Sequence, residues 1–344
     1  MTRMHVNGKW LAQKLTGTQR YATEIVRAIV VGDTTDLVLH VPADAEVPAW
    51  LHTPRVEVRR SRATGVLFEQ LYLPLATFGK LLLNFAGPAP LLKRRQVVTM
   101  HDATPFRFPQ TFRKAFVLFY LVSYYGLGRW ARHLVTVSRF SANELNEVLG
   151  IRTEKFVVAG CAADALTAVE PQRPELAPQG PFYLAVGTLA VHKNLPRPVQ
   201  AVIESGRTVV IVGASAGGQV FSKASELSSK AVVAGRLSDA ELAWLYRNAQ
   251  GLIFPSEYEG FGIPPLEAQT LGCPVVSSNA ASLPEVAGDA ALYFSPDDTS
   301  AMLAQLERLE TEQGLADSMR QRGLANAERF SWHDSAHRIL ESLR

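Results

Sequence analysis

Phe254-Pro255-Ser256-Glu257-Tyr258-Glu259-Gly260-Phe261-Gly262-Ile263-Pro264-Pro265-Leu266-Glu267-Ala268 is the stretch on which the fold turns. The apolar run Gly251–Phe254 predicts a strand ending at Phe254. A glycine-containing loop follows. A helix is expected to open at Pro264, because proline lacks an N–H that a first helical turn leaves unbonded anyway. The other free N–H groups of such a turn form an anion site, and glycines let a ligand approach the backbone closely. Glu259 and Glu267 bracket this site with seven residues between them. A carboxylate beside an anion site repels the anion unless it binds something else. Neighbouring sugar hydroxyls suit it, since a carboxylate accepts two hydrogen bonds. Spacing alone leaves two readings open: a nucleotide-sugar site, or two solvated glutamates on an ordinary strand–loop–helix join.

Outward from this stretch, short β-branched runs alternate with helical patterns along nearly the whole chain. Strands are expected at 37–41, 56–58, 81–85, 97–100, 134–137 and 156–159, then at 182–186, 208–212, 231–234, 251–254, 274–277 and 291–294. Helices are expected at 19–31, 66–78, 111–131 and 141–149, then at 195–204, 239–248, 264–271, 300–312 and 314–328. Ser238-Asp239-Ala240-Glu241 predicts a capped helix start, with a hydroxyl cap and an acid three residues on. Strand–helix alternation predicts α/β architecture with parallel sheets. Between 169 and 181, four prolines and a glycine mark a linker. The expected organisation is therefore an N-terminal Rossmann-like domain over 1–168, a linker over 169–181 and a C-terminal Rossmann-like domain over 182–330. Two doubly wound sheets facing each other leave a cleft, a usual place for a small-molecule site.

The chain has 344 residues, 47 % of them hydrophobic and 19 % charged, which suits a folded two-domain protein and excludes disorder over most of its length. Two cysteines, Cys161 and Cys273, are too few for a disulfide framework or a zinc site and fit a reducing compartment. The start, Met1–Trp10, lacks the apolar core of a signal peptide, and the 14-residue apolar run from Ala115 to Gly128 is shorter than a membrane span of about 20 residues. A cytoplasmic location is expected. The net charge of +3 hides an asymmetry: residues 1–166 carry 21 basic and 12 acidic side chains, residues 167–344 carry 14 and 20.

The quoted stretch, with its two glutamates, resembles the E-x7-E signature of the retaining glycosyltransferases of family four, which have the GT-B fold. The resemblance continues through Leu271–Asn279 and Ser282–Ala291 and covers most of the second half. Upstream, Val186-Gly187-Thr188-Leu189-Ala190-Val191-His192-Lys193-Asn194 resembles the family's diphosphate-binding loop. Lys193 matches its lysine, and His192 stands where arginine is more usual. In the first half, Val97-Val98-Thr99-Met100-His101-Asp102-Ala103 resembles the motif whose histidine lies against the donor sugar. Read without the resemblance, that histidine is a structural residue held by a carboxylate such as Asp102. Thr16-Gly17-Thr18-Gln19-Arg20-Tyr21 resembles the N-terminal glycine loop, with Thr18 and Gln19 replacing smaller residues. The ending Phe330–Asp334 and the short helix after it resemble the family's last helix, which packs back on the first domain.

The resemblance implies a retaining, metal-independent hexosyltransferase that takes its donor as substrate and needs no cofactor. It makes His101, Glu259 and Lys193 the catalytic candidates. It makes Gly17, Thr188, His192, Lys193, Gly260, Phe261, Gly262, Ile263 and Glu267 the donor-binding candidates. Within the family, the N-terminal pattern is similar to bacterial surface-polysaccharide mannosyltransferases. That implies GDP-mannose as donor, with a UDP-hexose next, and a lipid-linked or soluble glycan as acceptor. The rivals are a catalytically silent sugar-nucleotide-binding partner subunit and a nicotinamide-dependent oxidoreductase. The oxidoreductase needs a G-x-G-x-x-G turn, and Gly213-Ala214-Ser215-Ala216-Gly217-Gly218 has the wrong spacing.

Residues 50–140 hold 14 basic and 3 acidic side chains, among them Arg55, Arg59, Arg60, Arg62, Lys93, Arg94, Arg95, Arg113 and Lys114. Aromatics such as Phe116, Phe119, Tyr120, Tyr124, Tyr125 and Trp130 are interleaved. No nucleic-acid motif accompanies them. A surface that meets anionic lipid at the inner face of the cytoplasmic membrane, or the diphosphate of a lipid-linked acceptor, is favoured over a merely solvated face.

Overall fold

The computed structural model describes residues 3–32, 35–213 and 231–344, and the stretch Ala214–Gly218 lies outside them. The chain folds as two compact units, Met1–Cys161 with Trp332–Arg344, and Ala162–Ser331. Residues 169–181 lie inside the second unit, whose first residue is Ala162.

The first unit holds a seven-stranded sheet of β1 (Met4–Asn7), β2 (Leu37–Val41), β3 (Val56–Arg60), β4 (Leu82–Asn84), β5 (Gln96–Thr99), β6 (His133–Thr136) and β7 (Phe156–Val158). Its order is β3-β2-β1-β4-β5-β6-β7, with every neighbouring pair parallel. The sequence pattern does not predict β1, the strand beside which the order reverses. Met-His-Val-Asn lacks a β-branched run because two of its polar side chains are buried and paired inside the sheet. His5 Nδ1 lies 2.9 Å from His40 Nε2, and Asn7 Nδ2 donates to Asn84 Oδ1 at 3.0 Å. The helix Gly17–Gly32 and the last helix, Trp332–Glu341, pack on this sheet. The Tyr21 hydroxyl donates to the Ala159 carbonyl at 3.1 Å, and the Tyr21 ring meets Trp332 edge-on at 5.7 Å. Ser335 Oγ donates to the Gly160 carbonyl at 2.8 Å.

The second unit holds a six-stranded parallel sheet of β8 (Tyr183–Val186), β9 (Val209–Val212), β10 (Ala231–Gly235), β11 (Gly251–Phe254), β12 (Val275–Ser278) and β13 (Leu292–Phe294). Its order is β10-β9-β8-β11-β12-β13. Successive side chains of a strand point to opposite faces. Leu184, Val210, Leu252, Phe254 and Val275 therefore pack with Tyr246 and Ala268 on one face. Tyr183, Ile211, Ile253 and Val276 pack with Val199, Met302 and Leu306 on the other. With both faces covered, the strands read as continuous apolar runs, which made them easy to place. The capped start at Ser238 forms as read: its Oγ accepts from Glu241 N at 3.2 Å, and Glu241 accepts from Ser238 N at 2.9 Å.

Two expectations for the first unit need correction. Lys93 is not part of an exposed basic surface. It is buried, and its Nζ donates to the carbonyls of Thr77 and Lys80 at 2.7 and 2.9 Å. Burial lowers its pKa, with the nearby Arg95 charge adding to the effect. The helix expected over 111–131 starts at Lys114, after a short 3-10 turn at Pro109–Thr111. Among the described residues, no helix is long and apolar enough to cross a membrane.

Candidate active site

In an open parallel sheet, ligands bind beyond the carboxyl ends of the strands where the strand order reverses. In the second unit that place lies between β8 and β11, and the sequence puts its two most informative loops there. The β8 loop ends in a short turn, Val191–Lys193, closed by Asn194 in the left-handed region at φ 48°. Asn194 Nδ2 donates to the Pro255 and Pro296 carbonyls at 3.2 and 2.9 Å, and Glu257 N donates to the His192 carbonyl at 2.8 Å. These bonds stitch the Lys193 turn to the start of the β11 loop.

The β11 loop runs from Pro255 to Gly262 and enters the helix Ile263–Thr270, one residue earlier than expected. Gly262 sits at φ 95°, and a Cβ there would lie 2.6 Å from Leu283 Cδ2. The positive φ favours glycine, and a Cβ would in addition push the Leu283 methyl aside. Ser282 Oγ, buried beneath the loop, lies 2.9 Å from the Glu259 carbonyl and 2.8 Å from the Phe261 carbonyl. A hydroxyl proton shared between two carbonyls of one tight turn holds that turn in shape. It fixes the direction of the backbone N–H groups around Gly260, Phe261 and Ile263.

Both glutamates are largely buried, at 9 % exposure for Glu259 and 6 % for Glu267. Solvated glutamates, one of the two readings left open by spacing, are therefore not what this loop holds. Lys193 Nζ donates to both carboxylate oxygens of Glu259, at 2.6 and 2.8 Å. Glu267 Oε2 accepts from the Tyr246 hydroxyl at 2.9 Å. Thr188 is exposed, whereas His192 is buried, so His192 presents no solvent-facing replacement for a second cation.

In the first unit, His101 follows β5. Its Nε2 lies 2.9 Å from the Phe85 carbonyl, which can only accept, so Nε2 carries the proton and a neutral ring keeps its acceptor at Nδ1. Burial lowers the His101 pKa, against the opposing pull of the Phe85 carbonyl and of Asp102. Asp102 does not hold the ring through a hydrogen bond in the way a structural reading expects. Its Oδ1 accepts from Thr104 N at 2.7 Å, at the start of the turn Thr104–Arg107. Tyr21 meets His101 edge-on at 5.0 Å. Tyr21 stands one turn into the helix that Gly17 opens, so the histidine packs against that helix.

The structure thus pairs Lys193 with Glu259 and ties His192 to the loop that carries Glu259, Gly260, Phe261, Gly262 and Ile263, with Glu267 on the helix that loop enters, while in the first unit His101 packs against Tyr21 of the helix that Gly17 opens. Sequence reasoning missed Asn194, Tyr246 and Ser282. Asn194 carried a usable signal, since asparagine is one of the few residues that tolerates the left-handed region. Tyr246 and Ser282 carried none, being brought to the site from other elements. Among the described residues, no group of three or more His, Cys, Asp or Glu side chains could hold a metal ion.

The model of the family "Glycosyl transferases group 1" matches residues 168–325. The chain is 30 % identical over 279 residues to O-antigen chain mannosyltransferase B of Escherichia coli, covering 76 % of this chain and 72 % of that protein. It is 29 % identical over 249 residues to O-antigen chain mannosyltransferase RfbU of Salmonella typhimurium, covering 69 % and 67 %. Among solved structures it is similar to the sucrose-phosphate synthase of Thermosynechococcus elongatus, with a TM-score of 0.78 at 17 % identity over 100 % of this chain and 98 % of that one. The two parallel sheets are those of the GT-B fold.

Proposed function

This chain is a member of the glycosyl transferases of group 1, and from that premise we propose that it transfers a mannosyl group from GDP-mannose to a glycan or lipid-linked oligosaccharide, with retention of configuration. The observation that carries the proposal is the pairing of Lys193 with Glu259 beside the start of helix Ile263–Thr270. A cation, the backbone N–H groups of a glycine turn at a helix start and two buried carboxylates at a sheet's switch point suit a ligand that is anionic at one end and hydroxylated at the other. Sugar nucleotides have that character. The mannose assignment is supported by the relatives' names, and a UDP-hexose is the alternative donor.

The second unit holds the donor and the first the acceptor. Lys193 and the helix N–H groups stabilise the charge that develops on the departing diphosphate. As the diphosphate draws Lys193 toward it, Glu259 is released to accept from sugar hydroxyls, and the N–H groups of Gly260, Phe261 and Ile263 orient the same group. Glu267, held by Tyr246, accepts from the ribose hydroxyls. Neutral His101 offers Nδ1 as an acceptor to the donor sugar. The bond between the sugar's anomeric carbon and the phosphate oxygen breaks, and the bond to the acceptor hydroxyl forms on the same face. The acceptor's proton passes to an oxygen of the leaving phosphate. No step requires a metal, and the reaction is placed in the cytoplasm.

A panel of nucleotide sugars, incubated with the protein and a lipid extract and followed by nucleoside diphosphate release, tests the proposal. Turnover with GDP-mannose alone is expected, unaffected by a chelator. Turnover with a UDP-hexose alone overturns the mannose assignment. Nucleotide binding without turnover of any donor would establish a silent binding subunit instead.

A further inference from the structure

The first unit has a switch point of its own, between β1 and β4, and sheets of this kind bind ligands there, beyond the strands' carboxyl ends. Two segments meet at that place. One is the loop after β1, which carries Lys9. The other is a helical segment running from Gly65 to Ala76. Pro74 has no N–H for the Gln70 carbonyl. Just before it the helix widens, and Leu73 N donates to the Phe68 carbonyl, five residues back. Wide turns of this kind recur at functional sites. Within this one Glu69 is 1 % exposed. Lys9 Nζ donates to Glu69 Oε2 at 2.6 Å, and Gln70 Nε2 to Glu69 Oε1 at 2.8 Å.

The loop after β4, residues 85–89, borders the same group. Its Ala89 carbonyl accepts from Gln70 Nε2 at 3.3 Å, and its Phe85 carbonyl lies 2.9 Å from His101 Nε2. A Cβ on Gly87 would lie 3.6 Å from the Tyr120 hydroxyl. One short loop thus has Gln70, Tyr120 and His101 against it. Burial, with the Glu69 and Asp102 charges adding to it, pushes the Tyr120 pKa up to about 12, so the phenol near these two carboxylates keeps its proton.

The hydrogen-bonding capacity left over identifies the ligand. A lysine ammonium has three protons, and among the described residues Lys9 directs its side chain to Glu69 alone. The Tyr120 hydroxyl has no hydrogen-bond partner among them, and Asp102 engages only Oδ1, toward Thr104 N. An ammonium, a phenol and a carboxylate oxygen suit neighbouring hydroxyls, which donate as well as accept. The fixed charges are Lys9 against Glu69 and Asp102, a surplus of one negative charge. A phosphate or a sugar acid is repelled by that surplus.

We propose that Lys9, Tyr120 and Asp102 bind the receiving sugar of the acceptor, and that this sugar is uncharged. The inference rests on the reading that the first unit holds the acceptor. Lys9 and Tyr120 donate to the sugar's hydroxyls, and Asp102 Oδ2 accepts from one. Glu69 and Gln70 are positioning residues: the wide turn holds the carboxylate, and the carboxylate holds the ammonium.

Saturation-transfer NMR on the full chain, with no donor present, tests it. The probes are methyl hexopyranosides and, beside them, hexose phosphates and methyl hexuronides. The expected result is binding of at least one methyl hexopyranoside and of none of the charged sugars. Lys9→Gln and Tyr120→Phe should each weaken that binding about tenfold, with GDP and UDP affinity in calorimetry as in the natural protein. Lys9→Gln leaves Glu69 buried without its cation and is the variant at risk of misfolding. Tyr120→Phe keeps the ring against Phe116, 4.3 Å away, and reports in either case. Because no donor takes part, glycoside binding through these residues without turnover of any donor would overturn the proposed reaction and support the sugar site. Binding of a hexose phosphate that Lys9→Gln abolishes overturns the inference, since the ammonium would then read an anion. Glycoside binding unchanged in both variants overturns it too, leaving the ion pair as a strut within the unit. So does absence of binding by every glycoside tried.

Discussion

Lys193 Nζ bridges both carboxylate oxygens of Glu259, at 2.6 and 2.8 Å, so the two charges assigned to opposite ends of the donor neutralise each other before it arrives. In the proposed reaction a diphosphate competes with Glu259 for the lysine. Glu259→Gln removes the competitor's charge while keeping its shape, and is expected to tighten nucleoside diphosphate binding a few-fold in calorimetry. Lys193→Ala and Glu259→Ala should each slow turnover at least about a hundredfold, some 3 kcal/mol of transition-state stabilisation. The double variant should be little worse than either, because residues that act together are not additive. Unchanged or weaker diphosphate binding by Glu259→Gln would show that the ion pair does not oppose the ligand.

Tyr246 holds Glu267 at 2.9 Å from within the core. Tyr246→Phe keeps the ring and removes the hydrogen bond, so the carboxylate loses its orientation at a cost of about 1 kcal/mol. The donor KM should rise by several-fold with kcat little changed, and Glu267→Gln should raise it further. A fall in kcat at constant KM would move Glu267 from nucleotide binding to chemistry.

Ser282→Ala deletes a hydroxyl that lies against both the Glu259 and Phe261 carbonyls. Two buried carbonyls losing that donor should cost about 1–3 kcal/mol, read as a lower urea midpoint. Turnover per bound donor should fall as well, because the N–H groups of the turn lose their fixed direction. Equal stability and turnover in the variant would make the contact incidental.

Burial, helped by the neighbouring His5 and the Arg59 charge, pushes the pKa of His40 down to about 4 from the ordinary 6.5. Because the folded value is lower, the unfolded chain binds more protons between the two values. Stability is therefore full above about pH 6.5 and declines as the pH falls toward 4, by about 3 kcal/mol for this group. Urea midpoints across that range should drop in the natural protein and drop less in His40→Gln. Parallel slopes would show that other groups govern the acid limb.

Much of the fold was legible because buried parallel strands write themselves as apolar runs. Leu37–Val41, Gly251–Phe254 and the helix Asp239–Asn248 match their expected limits residue for residue. β1 escaped because His5 and Asn7 find partners of their own kind inside the sheet, a pairing visible only once β2 and β4 lie alongside. In the site, Glu259, Glu267 and Lys193 stood out by spacing and resemblance. Their partnership did not, since 66 residues separate lysine from glutamate. Lys93 looked like its exposed neighbours Arg94 and Arg95, and only the carbonyls of Thr77 and Lys80 draw it inward.

The helix Trp332–Glu341 belongs to the unit that begins the chain. A ribosome therefore releases the second unit whole while the first still lacks a part. Until Trp332 and Ser335 are made, Tyr21 has no ring against it on that side and the Gly160 carbonyl no hydroxyl. The first unit must wait, incomplete, through the synthesis of some 170 intervening residues. A stop codon near residue 331 would spare every residue of the second unit and still leave the first unable to finish.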